Sequence, residues 1–216
     1  NNISVSKFTI KGSVTMTTPS TNSGDSRVTL QLDTPNTIKW SASTAIAGNV
    51  KLYYDNGNGS FVEIDSAVTK TAASGVVGYD WTPATTILDN LVDTVQTDIA
   101  LIKVVSVNDN SISSTSAQPL TLKAKFTGFA PAGGQTWYYG DLNNVQWTNK
   151  GTVTPVNVKY SVDGGSTWTG AIDSNYPNTG GTGLKVWDVD SPIDYDIRVR
   201  VESVSPHTTD VYAVSA

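Results

Sequence analysis

The chain has one histidine, His207, and no cysteine. His207 follows Pro206 in a polar turn, SVSPHTTD, and has no second His or Cys to share a metal. No Ser-His-Asp order, nucleophile elbow, phosphate loop or zinc motif is present. The residues therefore argue against an enzyme and against a bound cofactor. Asp55-Asn56-Gly57-Asn58-Gly59-Ser60 has the composition of a calcium loop, but its ligand spacing fails and it lacks a closing bidentate Glu. The pairs Asp188/Asp190 and Asp194/Asp196 are further acidic clusters, and no metal site is assigned to either. Asn2-Ile3-Ser4 and Asn58-Gly59-Ser60 are N-glycosylation sequons, which makes Asn2 and Asn58 candidate modification sites. Six Trp and nine Tyr are the raw material of a sugar-stacking face. Trp40, Trp81, Trp147 and Trp187 sit at repeated, inward-facing positions and read as core. Tyr138, Tyr139 and Trp168 are less constrained and are the candidates for contact with glycans.

Composition narrows the partners. Net charge is −5 with no basic run, so neither nucleic acid nor an anionic membrane surface is expected. No stretch approaches the roughly 18 apolar residues of a membrane span. The bias to Gly, Ser, Thr and Asn over Leu, Met, Glu and Lys favours strands joined by turns. It also leans towards an extracellular location. A start at Asn1 rather than Met is expected of a mature form whose signal peptide has been removed.

The elements that must hold these residues are short strands. Alternation of apolar and polar residues marks residues 28–32 (VTLQL), 36–42 (NTIKWSA), 50–55 (VKLYYD), 75–81 (GVVGYDW) and 100–107 (ALIKVVSV). Asn56-Gly57 predicts a hairpin turn that leads back through Phe61. Residues 86–97 (TILDNLVDTVQT) carry apolar residues at i, i+1, i+4 and i+8, which predicts a short amphipathic helix. A loop pinned by those same side chains is the competing reading.

The pattern occurs twice. NTIKW at 36–40 matches NNVQW at 143–147, and NVKLYYD at 49–55 matches NVKYSVD at 157–163. YDW at 79–81 matches KVW at 185–187, and IKVVSV at 102–107 matches IRVRVES at 197–203. The expected fold is all-β, two tandem β-sandwich domains. The expected boundaries are an extended N-terminal strand at 1–10, one domain at 11–125 and a second at 126–216.

The second repeat resembles the immunoglobulin-like repeat of bacterial and archaeal surface proteins, and the related Ser-Thr-rich cell-wall-synthesis-like repeat. The resemblance rests on Pro131, Gly133, Gly134, Trp137, Gly140, Val145, Trp147, Thr148, Val158, Lys159, Ser161, Asp163, Gly164, Gly165, Trp168, Trp187, Val189, Ile197, Arg198 and Val199. It covers about residues 127–216 well and 28–123 loosely. It implies immunoglobulin-like (fibronectin type III-like) sandwiches. It does not imply one function, because such repeats serve as spacers, stalks, adhesin segments and enzyme appendages.

The family pattern ends on a strand that the first repeat has at residues 118–123 (QPLTLK) and the second lacks after Ala216. The N-terminus fits that place. Ile3 falls on Leu120, Val5 on Leu122 and Phe8 near Phe126, and the parity of apolar residues slips at Lys7. A donated strand of this kind gives head-to-tail self-assembly, with Asn2, Ile3, Ser4, Val5 and Phe8 at the interface. The expected function is a structural subunit of an extracellular filament, stalk or surface layer. The alternatives are a glycan-binding or adhesion module and accessory domains of a larger secreted protein, where the same junction is covalent.

Overall fold

A computed structural model of the chain describes residues 9–19, 24, 26–43, 46, 48–68, 76–190 and 196–216, with Val76 and Val77 described by their backbone. Asn2, Ile3, Ser4, Val5 and Phe8, and with them the expected donor strand, lie outside the described residues. The fold is all-β. The first strands are β1 (Val14–Thr18), β2 (Thr29–Gln31), β3 (Asn36–Ala42), β4 (Val50–Asp55), β5 (Val62–Val68), β6 (Val76–Trp81), β7 (Gln96–Ser106), β8 (Ser113–Thr115) and β9 (Leu120–Lys123). There follow β10 (Lys125–Ala130), β11 (Leu142–Lys150), β12 (Val156–Ser161), β13 (Gly170–Tyr176), β14 (Thr182–Asp188), β15 (Arg198–Ser203) and β16 (Tyr212–Val214).

The chain packs as two compact units. The first comprises Asn1–Thr29, Pro35–Thr82 and Asp98–Thr121, and the second Leu30–Thr34, Pro83–Thr97 and Leu122–Ala216. The sheets are β1-β3-β6, a six-stranded sheet with path β2-β9-β7-β4-β5 and β8 beside β7, then β10-β11-β14 and β13-β12-β15-β16.

Period-2 patterning explains the strands. In β3, Ile38 and Trp40 are buried while Thr37 and Lys39 are exposed, and in β11 Val145 and Trp147 are buried between exposed neighbours. The core of the first unit includes Met16, Ile38, Trp40, Leu52, Ile102 and Val104, and that of the second Trp147, Val156, Val158, Val199 and Val201. All four repeated tryptophans, Trp40, Trp81, Trp147 and Trp187, are buried.

The ladders repeat residue by residue. Asn36 faces Trp81 as Asn143 faces Trp187, and Ala42 faces Val14 as Asn149 faces Phe126. Leu52 faces Val104 as Val158 faces Val201. Tyr54 stacks on Trp81 at 5.4 Å between centroids, and Tyr160 stacks on Trp187 at 5.2 Å. Val104 pairs with Ser114 as Val201 pairs with Ala213. At the end of the last pair, Ser116 and Ile102 exchange backbone and side-chain hydrogen bonds, and Ser215 and Val199 do the same.

Three sequence expectations are corrected. Residues 86–97 form no helix. Residues 86–95 make a succession of turns and bends with Ile87 and Leu88 buried, so two apolar anchors pin a loop, and residues 96–97 already belong to β7. The repeat register shifts by two: Val50 corresponds to Val156, and Ile102 to Val199. A two-residue slip keeps every side chain on its face, so alternation alone does not detect it. The connection after β4 is longer than a two-residue hairpin turn. Asp55 closes it by accepting hydrogen bonds from the amides of Gly57 (2.8 Å) and Gly59 (3.1 Å).

Candidate functional site

In the first sequence repeat, whose residues fall in both compact units, β2 is bonded to β9 at the edge of the six-stranded sheet. Thr121 N–H donates to the Val28 carbonyl at 2.9 Å. Beyond this pair the chain turns at Asp33, whose φ is +55°, and Asp33 N–H donates to the Pro83 carbonyl at 2.9 Å.

That turn has a counterpart in the second repeat. Gly140 has φ +82°, and its N–H donates to the Val189 carbonyl at 2.9 Å. Pro83 and Val189 each lie two residues past the matched Trp81 and Trp187. Asp33 and Gly140 each lie three before the matched Asn36 and Asn143. The register between them has no gap. Residues 135–139 therefore correspond to 28–32, with Trp137 in the place of Leu30 and Tyr139 in the place of Leu32.

Here the units part. Leu30 and Leu32 are buried, whereas Trp137 is half-buried and Tyr139 is 68% exposed. Residues 135–139 are not a strand, because among the described residues none pairs beside them as β9 pairs beside β2. The result is an open strand position next to aromatic side chains. One wall is Trp137, set edge-on against Trp187 at 6.0 Å. Ala216 lies close by, since a Cβ on Gly133 would meet it at 2.9 Å. Such a site offers backbone groups and apolar surface, the two things an added strand uses. Sequence reasoning missed it because QTWYY does not alternate. Its detectable signal is the fixed spacing of Gly140 to Asn143.

The other predicted residues are dispersed. Tyr138 is 70% exposed beside Tyr139. Trp168 is half-buried and lies under the Arg200 guanidinium at 5.5 Å, which occupies a ring face. Asn58 is exposed at a loop tip, where its side chain accepts from Ser60 N–H at 2.8 Å. His207 Nε2 lies 2.6 Å from Asp93 Oδ2. Burial raises the Asp93 carboxyl, but His207 and the amides of Gln96 and Val95 outweigh it and hold the group below its usual value. No cluster of metal-binding side chains occurs among the described residues.

The outer face of β12, β15 and β16 carries an ion-paired cluster. Glu202 is 2% exposed, with Lys159 Nζ at 2.6 Å and Arg200 Nε at 2.8 Å. Glu202 Oε1 and Arg200 Nε lack hydrogen-bond geometry, so the contact is mainly Coulombic. Arg200 also donates to the Thr208 carbonyl and lies 4.2 Å over the Tyr212 ring. The first unit has Val105 and Lys103 at these places, with Lys103 over Phe61 at 5.2 Å. The second unit also holds a cleft of about 630 Å³, lined mainly by Thr, Asn and Gly, including Thr148, Asn149, Gly151 and Asn178. It has no aromatic wall for a sugar ring. No family model matches the chain, and no curated protein matches it.

Proposed function

We propose that the chain is a structural subunit of an extracellular filament, stalk or surface layer. Its units are two tandem immunoglobulin-like sandwiches, and copies join head to tail by strand complementation. The observation that carries this reading is the open strand position beside residues 135–139, filled in the first repeat by β9. An extended segment of another copy supplies both the hydrogen bonds and the apolar side chains that the position lacks. Donor and acceptor are different surfaces, so the contact is heterologous and propagates instead of closing. Each buried apolar side chain of the donor contributes about 2 kcal/mol. No cofactor is needed.

Native mass measurement and negative-stain images of the purified chain test the reading. Linear oligomers that differ by one chain mass, and filaments at higher concentration, are expected. A stable monomer at every concentration overturns it. The exposure of Tyr138 and Tyr139 favours a second reading, a glycan-binding or adhesion module. A glycan array with both tyrosines changed to Ala separates the two, since binding lost on substitution supports the adhesion reading.

A further inference from the structure

The strand that fills the position in the first repeat runs through Ala124 directly into β10. β10 corresponds to β1, with Phe126 in the place of Val14 and Lys125 in the place of Ser13. Counting back without a gap, Ala124 corresponds to Gly12, Lys123 to Lys11, Leu122 to Ile10, Thr121 to Thr9 and Leu120 to Phe8. The two sequences read LTLKA and FTIKG. Apolar, Thr, apolar, Lys and small residue recur at all five places.

Two independent observations support this register. Lys123 Nζ donates to the Asp210 carbonyl at 3.0 Å, in the loop between β15 and β16 of the second unit. Lys11 Nζ lies 3.0 Å from Asp109 Oδ2, in the matching loop between β7 and β8 of the first unit. Each lysine thus reaches the matching loop, Lys11 as an ion pair with a carboxylate and Lys123 through a hydrogen bond to a backbone carbonyl. The second observation is burial. Leu122 is fully buried, whereas Ile10 at the matching place is 82% exposed.

Resting on the head-to-tail reading above, we infer that Phe8–Lys11 is the segment that enters the second unit of another copy. Phe8 and Ile10 stand in for Leu120 and Leu122, and residues 1–6 lie outside the strand position. This moves the donor by five residues from the placement of Ile3 on Leu120. It also fixes the hydrogen bonds by analogy with the first repeat, where Leu32 N–H donates to the Lys123 carbonyl at 3.0 Å. Thr9 N–H donates to the residue 135 carbonyl of the acceptor, and Tyr139 N–H of the acceptor donates to the Lys11 carbonyl.

The test uses three full-length variants, with thermal melting to establish that each is folded. Ile10→Asp puts a charge where a buried leucine stands in the first unit. The double variant Ile3→Asp/Val5→Asp does the same for the alternative register. Tyr139→Asp blocks the acceptor and leaves the donor intact. Loss of oligomers by Ile10→Asp, with wild-type assembly of the double variant, is expected. Ile10→Asp mixed with Tyr139→Asp is expected to stop at 1:1 dimers, because one chain keeps the acceptor and the other the donor. If the double variant loses assembly and Ile10→Asp keeps it, the register is wrong and head-to-tail assembly stands. Loss by both overturns the register as well. Assembly by both, or a wild-type chain that never assembles, overturns strand donation itself. Where a variant does not fold, a peptide of residues 6–12 against one of residues 1–6, each titrated into wild-type chain, decides the register by which one caps growth.

Discussion

Residues 28–32 and 135–139 occupy the same place in two repeats, yet only the first contains a strand. The difference does not lie in the number of large apolar or aromatic residues, since QTWYY and VTLQL have three each. It lies in the neighbour. β9 supplies carbonyls and amides to β2, and with them the reason for residues 29–31 to stay extended. Backbone polar groups require partners, so a strand belongs to a pair and not to a segment. Leu32 is buried where a neighbour is present, and Tyr139 is exposed where none is.

The largest expected effect comes from breaking the filled side. Leu120 and Leu122 are fully buried. A Leu→Ala change in a core costs about 2–5 kcal/mol, so the double Ala variant is expected to lose most of a typical domain's stability. Denaturant unfolding checks this, and a loss below about 1 kcal/mol would show that β9 does not hold the first unit closed. Next in size is the Lys159–Glu202–Arg200 cluster of the second unit. Glu202→Ala leaves Lys159 and Arg200 without their carboxylate. Removing one partner of a buried pair costs about 3–5 kcal/mol. Lys159 keeps partial solvent access, so the lower end, about 3 kcal/mol, is expected from the same unfolding measurement.

The smallest effect is a pH dependence at the loop after β12. The Ser161 hydroxyl, the Thr167 amide and the Thr167 hydroxyl hold the Asp163 carboxyl down at about 2 from an ordinary 3.8. A carboxylate lowered by folding stabilises the fold above its ordinary value and loses that contribution as pH falls through the lowered one. The Thr167 amide shift, followed by NMR, is therefore expected to hold constant to about pH 4 and to move as the pH approaches 2. Asp163→Asn is expected to abolish that movement.

Much of the fold was legible in the residues. Ile38 with Trp40, and Val145 with Trp147, alternate cleanly, and the two sets mark the repeat. The register was less legible. NVK occurs at 49–51 and again at 157–159, and the identical letters draw the match two residues away from the ladder pairing of Val50 with Val156. The turns at 86–97 have helical spacing, but Ile87 and Leu88 are held by packing that local sequence does not encode. The open position was half legible. The repeat comparison points to it, since residues 120–123 have no counterpart among the described residues of the second repeat. The place of residues 137–139 shows only when they are set against 30–32, and taken alone Tyr138 and Tyr139 are equally candidates for contact with glycans.

Hydrogen exchange at the Tyr139 amide, in assembled and single chains, tests the central claim most directly. Strand complementation predicts fast exchange in the single chain and strong protection in the assembly, where the amide gains the carbonyl partner that Leu32 already has. Equal, fast exchange in both states would contradict it.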